Sequence, residues 1–104
     1  MSTQVTPFAV VFPEWYDARA EFEHAQKGYL PDVEVHLEDG SRYRLFFYDP
    51  VRLSQELDEE ENQGKPYLAE PGLVVIPEVN RENIHKAVAG LWQDSFFRHL
   101  RPVA

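Results

Sequence analysis

The segment Val33-Glu34-Val35-His36-Leu37-Glu38-Asp39-Gly40-Ser41-Arg42-Tyr43-Arg44-Leu45-Phe46-Phe47 alternates apolar and polar residues on both sides of an Asp-Gly pair. Alternation with a period of two reads as strand, and Asp-Gly between two such runs reads as the turn of a β-hairpin. A two-residue Asp39-Gly40 loop would set Val35 against Arg44 and Leu37 against Arg42, which puts arginines on the apolar face. A three-residue loop, Glu38-Asp39-Gly40 with Gly40 left-handed, sets Val35 against Tyr43 and Val33 against Leu45. It also places Glu34 opposite Arg44 and His36 opposite Arg42. A slip of one residue turns every side chain to the other face, so this G1-bulge register is the one predicted.

Upstream of the hairpin, Phe8-Ala9-Val10-Val11-Phe12 is a short apolar run stopped by Pro13 and reads as a buried strand. Trp15, Ala18, Phe22 and Ala25 then recur at helical spacing, which predicts a helix of about three turns with that apolar face, ended by Gly28 and Pro31. The chain from Tyr29 is open to an extended reading as well.

Downstream, Asp49-Pro50 is an N-cap followed by proline at the first helical position. Leu53 and Leu57 give that helix a narrow apolar stripe, which Val51 extends. Its end is expected to fray through Glu59-Glu60-Glu61, because carboxylates oppose the macrodipole there. Tyr67-Leu68 reads as a short strand, and Pro71-Gly72 as a turn into a fully apolar strand, Leu73-Val74-Val75-Ile76. Asn80 caps a last helix in which Ile84, Ala87, Val88, Leu91 and Trp92 form one continuous face, with Val79 and Ile84 placed as a hydrophobic staple.

The order strand, helix, hairpin, helix, strand, helix predicts an α+β fold over residues 1–104, a single globular domain. The sheet is expected to have three to five strands, mostly antiparallel, with two or three helices packed mainly on one face. Aromatic residues make up 13% of the chain, and Trp15, Phe22, Phe47 and Trp92 are the large side chains expected to build the core.

The 104 residues contain no cysteine, which excludes disulfides, thiolate metal sites and cysteine nucleophiles. Met1-Ser2-Thr3-Gln4-Val5-Thr6-Pro7 lacks a basic n-region followed by an apolar stretch, so no signal peptide is expected. No apolar run is long enough to span a bilayer. A cytoplasmic location is the resulting expectation. The formal net charge of −8 and the scatter of ten Lys and Arg point away from nucleic acid and from anionic membranes, which need a basic surface.

Motifs for dinucleotide, P-loop, α/β-hydrolase, zincin and EF-hand chemistry are absent from the sequence. His36 lies on the polar side of its strand between Glu34 and Glu38, but neighbours on one strand face stand about 7 Å apart, too wide for a metal without a ligand from elsewhere. His24, His85 and His99 have no partner that would make a general base of any of them. No catalytic, cofactor-binding or metal-binding residue and no cofactor is therefore assigned.

Two features point to a partner. Residues 49–70 hold seven acids against two bases, a net of −5, centred on Asp58-Glu59-Glu60-Glu61. Phe46 and Tyr48 fall on the strand face opposite Leu45 and Phe47, where an exposed patch or an oligomer contact would form unless a helix or the tail covers them. Asp58, Glu59, Glu60, Glu61, Phe46 and Tyr48 are the candidate partner-binding residues. The expected function is a non-enzymatic protein–protein interaction module, inhibitor-, immunity- or adaptor-like, that meets a basic protein partner. The alternatives are a small-molecule-binding domain or minor enzyme with a cleft lined by Tyr43, Tyr48 and Tyr67, and a homo-oligomeric structural protein, a homodimer in the simplest case.

Overall fold

The computed structural model describes residues 7–103; the reading of the first six residues as lacking a leader lies outside them. The elements follow as β1 (Phe8–Val11), α1 (Ala18–Lys27), β2 (Tyr29–Leu37), β3 (Arg42–Tyr48), α2 (Pro50–Asn62), β4 (Leu73–Val75) and α3 (Arg81–Gln93), with a 3₁₀ turn at Phe96–His99. The sheet runs β1-β2-β3-β4. The β1–β2 and β2–β3 pairs are antiparallel and β3–β4 is parallel, so the sheet is mixed and the fold is α+β.

The hairpin has the predicted register. Val33 faces Leu45, Glu34 faces Arg44, Val35 faces Tyr43 and His36 faces Arg42. Gly40 has φ 88°, and its N–H donates to the Leu37 carbonyl at 3.1 Å, closing the turn. An added Cβ would strain this left-handed position, which explains glycine there.

The strand continues beyond the hairpin because Tyr29 pairs with Tyr48 and Leu30 with Phe47. Between Leu30 and Val33 the register shifts by one, and Asp32 takes up the extra residue at φ 61°. This bulge turns both Leu30 and Val33 inward, where each is fully buried.

One face of the sheet carries the core. Val33, Val35, Leu45 and Phe47 are all 0% exposed and meet Ile84 and Val88 of α3, Phe97 of the 3₁₀ turn and Tyr16 ahead of α1. Asn80 accepts from the Asn83 N–H at 2.8 Å, and the staple residues Val79 and Ile84 are both fully buried. The helices α1 and α3 are joined at their starts. Glu21 accepts from the Arg81 N–H at 2.7 Å, the Arg81 guanidinium donates to the Tyr16 carbonyl, and it stacks on the Phe12 and Tyr16 rings at 4.6 and 4.7 Å.

Several expectations are corrected. β1 is not buried: it is an edge strand paired with β2 alone, half-buried at Phe8 and Val10 but exposed at Ala9 and Val11. The first helix begins at Ala18, capped by Asp17, so Trp15 precedes it and Phe22 points outward at 65% exposure. Tyr16, Ala20, Glu21 and His24 make the inward contacts instead, because the Glu21–Arg81 link and the bond between His24 Nδ1 and the Tyr29 carbonyl set the helix's rotation. Of the large residues expected in the core, Phe47 is there, whereas Trp15, Phe22 and Trp92 are exposed. Tyr67-Leu68 is loop rather than strand, beside Pro66, which has no N–H to give a ladder. β4 is three residues long and exposed at Val75, since it is the other edge of the sheet. α2 extends through its carboxylates to Asn62, where Lys65 Nζ lies 3.6 Å from Glu60 and Gln63 donates to Glu59 at 3.0 Å.

Candidate functional site

Residue parity places Ala9, Val11, Glu34, His36, Arg42, Arg44, Phe46, Tyr48, Leu73 and Val75 on the face of the sheet away from the core. This second face has two chemically distinct ends. At the hairpin end, Glu34 has an imidazole and two guanidiniums around it: His36 Nε2 at 2.8 Å, Arg42 at 3.9 Å and Arg44 at 4.0 Å. The His36 hydrogen bond first, and the two guanidiniums with it, hold the Glu34 carboxyl below its ordinary value. Among the described residues no three His, Asp or Glu side chains converge as a metal site would require. His36 therefore acts here as a strand-face partner of Glu34.

At the other end the face is aromatic. The Tyr48 ring contacts Phe46 and Tyr29, each at 5.5 Å between centroids, and the Arg52 guanidinium of α2 lies 5.0 Å from the Tyr29 ring and 6.0 Å from that of Tyr48. Tyr48 is thus buried beneath the first turns of α2, and burial pushes its hydroxyl above the ordinary value. Of the two rings singled out from the sequence, Phe46 alone stays half-exposed, beside a shallow depression of about 180 Å³ bounded by Tyr29, Pro31 and Arg44.

α2 starts on firm chemistry. Asp49 accepts from the Arg52 N–H at 2.7 Å, and its own N–H donates to the Gly28 carbonyl at 2.9 Å. Gly28 has φ 70° and lies so close to the Asp49 carboxylate that any side chain would collide with it. Arg52 Nε also bonds Glu56 at 2.8 Å. Past this anchor no residue of the helix is fully buried, and Leu53 is half-buried. Leu57 is 40% exposed and Val51 66% exposed. Val51 stands about 200° round the helix from Leu53 and does not extend the Leu53–Leu57 stripe as expected; it opens a second apolar side.

The acidic run occupies the last turns of α2. Asp58, Glu59 and Glu61 are exposed, and Glu60 is partly covered by Lys65. Glu60 and Glu61 follow Leu57 by three and four residues, and Asp58 follows Val51 by seven, so each exposed apolar residue shares a side of the helix with an acid. Tyr67, 60% exposed, and Val75, 44% exposed, lie on the segment that returns from α2 to the sheet. The structure thus brings Phe46 and Tyr48 together and puts the acids on a separate projecting helix.

A cavity of about 290 Å³ opens at the opposite end of β3, between the hairpin tip and the end of α3. Tyr43, Trp92 and Phe97 wall it, and Asp39, Ser95 and Arg98 stand around it. Tyr43 is the one tyrosine of the expected cleft found there; Tyr48 and Tyr67 do not line it. The sequence reading missed Arg52, Tyr29, Asp39 and Arg98. Pro31-Asp32 inside a strand was the available signal for the bulge that aligns Tyr29 with Tyr48, since proline in a strand marks an edge or a bulge. Nothing local signals the cavity, which depends on how the residues after α3 fold back.

Among the described residues, no helix is long and apolar enough to cross a membrane. No family model matches the chain, and no curated protein or solved structure matches it.

Proposed function

We propose that the chain is a non-enzymatic interaction module that presents α2 to a protein partner with a basic surface and apolar sockets. The observation that carries this reading is a capped helix of thirteen residues with none of them fully buried. Helices of this length are marginal in water unless an apolar face is packed, so α2 leaves stabilisation unclaimed that a partner can supply. The exposed Val51 and Leu57 supply anchors, and Phe46 and Val75 on the neighbouring sheet face enlarge the apolar area. Charge complementarity sets the partner's chemistry. The run Asp58–Glu61 lies in line with those anchors and steers a cationic surface towards them, while repelling an acidic one.

Native mass spectrometry of the protein from its own host, at normal abundance, tests this. The expected spectrum holds a stoichiometric protein adduct that salt dissociates. The adduct should be lost both in a variant with Asp58, Glu59, Glu60 and Glu61 changed to Asn or Gln and in a Val51→Ser/Leu57→Ser variant. A bare monomer, an adduct indifferent to both variants, or a homodimer would overturn the reading.

A further inference from the structure

The geometry points to a second site, separate from α2: the cavity between the hairpin tip and the end of α3 binds a small zwitterion with an aromatic body, an aromatic α-amino acid in its simplest form.

Its walls come first. Tyr43 is 8% exposed and Phe97 4% exposed, with ring centroids 5.1 Å apart, so they form a fixed aromatic floor. Trp92 closes one side at 37% exposure, its own ring 6.1 Å from that of Phe8. The wall exists because the chain reverses at Ser95, whose φ of 57° is left-handed, a conformation that costs a non-glycine residue about 1 kcal/mol. The Val103 N–H then donates to the Arg42 carbonyl at 2.7 Å and fastens the returning segment to β3. A volume of about 290 Å³ is at the small end of ligand pockets, which suits a metabolite of amino-acid size.

The charges come next. Asp39 and Arg98 both line this cavity, one from the hairpin tip and one from the 3₁₀ turn, and they do not pair with each other. The Arg98 guanidinium has no hydrogen-bond or ion-pair partner among the described residues. Asp39 is kept in place as a carboxylate, since its Oδ1 accepts from both the Ser41 N–H and the Ser41 hydroxyl, and Oδ2 remains for a ligand. An aromatic slot lined by both a positive and a negative group is complementary to a ring that carries both an ammonium and a carboxylate. Guanidinium is the donor that grips a carboxylate with two parallel bonds. This site and α2 lie at opposite ends of the seven-residue β3, about 20 Å apart, so either can fail without the other.

L-phenylalanine is the probe, because it does not emit where tryptophan does. In a Trp15→Phe background Trp92 is the single tryptophan, and the replaced Trp15 is half-exposed. Titration with L-phenylalanine should shift Trp92 emission saturably, with a Kd of about 1 mM or tighter. Phenethylamine, which lacks the carboxylate, and 3-phenylpropionate, which lacks the amine, should each bind about tenfold more weakly or worse. Arg98→Ala should cost about tenfold for L-phenylalanine and nothing for phenethylamine, and Asp39→Asn should cost it for L-phenylalanine and not for 3-phenylpropionate. Unchanged melting temperatures establish that both variants are folded. No saturable shift, or equal binding of all three compounds to the parent and both variants, overturns the proposal.

Discussion

Helices α2 and α3 are both thirteen residues long, and both open on a side-chain cap, Asp49 in one and Asn80 in the other. α3 buries Ile84 and Val88 completely against the sheet, while no residue of α2 is fully buried and Leu53 is only half-buried. Their sequences differ in how apolar residues are spaced. α3 repeats them at 84, 87, 88 and 91, enough to cover one side for two turns, whereas α2 has Leu53 and Leu57 on one side and Val51 on another. Caps and local pairs therefore start a helix equally well in both places, and packing distinguishes them. α3 belongs to the core, and α2 is a helix held at one end and offered at the other.

That contrast is tested most severely at Ile84. Ile84→Ala removes atoms from a fully buried position and should cost about 2–5 kcal/mol of unfolding free energy, read from urea denaturation. The next largest effect belongs to Tyr16, which ties α1 to the start of α3. Burial first, and the Glu21 charge second, push its hydroxyl from 10.0 up to about 12. The folded chain then holds that proton more tightly than the unfolded chain does. The contribution is complete below pH 10 and is lost as pH rises from about 10 towards 12, amounting to at most about 3 kcal/mol. Tyr16→Phe removes a buried hydroxyl that has no hydrogen-bond partner, so it should leave neutral-pH stability intact or raise it and flatten the alkaline loss. A steep alkaline loss that persists in Tyr16→Phe would break this assignment.

The packed half of the molecule was also the more legible half. The hairpin register could be read because only one alignment keeps Val33, Val35, Tyr43 and Leu45 on one side, and α3 could be read because its apolar face repeats over two turns. The start of the first helix is less legible, since the Asp17 cap begins it at Ala18 and leaves both Trp15 and Tyr16 ahead of it, with Tyr16 facing the core and Trp15 half-exposed. For the candidate sites, the acids and Phe46 were visible as residues, but their setting was not. The bulge at Asp32 aligns Tyr29 with Tyr48, Arg52 then covers both rings, and the reversal at Ser95 closes the cavity. Each is a long-range contact or a single unusual backbone angle, and neither leaves a period in the sequence.

The anchored end of α2 sharpens the comparison. Asp49→Ala deletes the cap and should cost about 1 kcal/mol, with the loss confined to α2 and seen as faster amide exchange there while α3 stays protected. Equal loss of protection in both helices would mean that α2 is cooperative with the core after all. Below this comes Glu34, on the polar end of the second face. Its carboxyl titrates below the ordinary 4.5, so its ion pairs contribute at neutral pH and the contribution disappears as pH falls below that value. Glu34→Gln should therefore cost less than about 1 kcal/mol at pH 7 and nothing in acid. A cost that stayed constant from neutral pH into acid would mean that the glutamate matters for packing rather than for charge.

The smallest effect on stability is expected at Leu57, and there a small number is the informative one. Leu57 is an aliphatic residue of a well-formed helix, as Ile84 is, yet it is 40% exposed. Leu57→Ala should change unfolding free energy by about 0.5 kcal/mol, because a large part of the residue stays in water on folding and alanine, the better helix former, offsets part of what is lost. Such a result means that the fold does not need leucine there. The same substitution should then weaken the salt-sensitive protein adduct, since a partner, and not the core, would be what covers the side chain. If Leu57→Ala instead costs as much as Ile84→Ala, α2 is packed in solution, its thirteen residues are not on offer, and the interaction reading loses the observation that carries it.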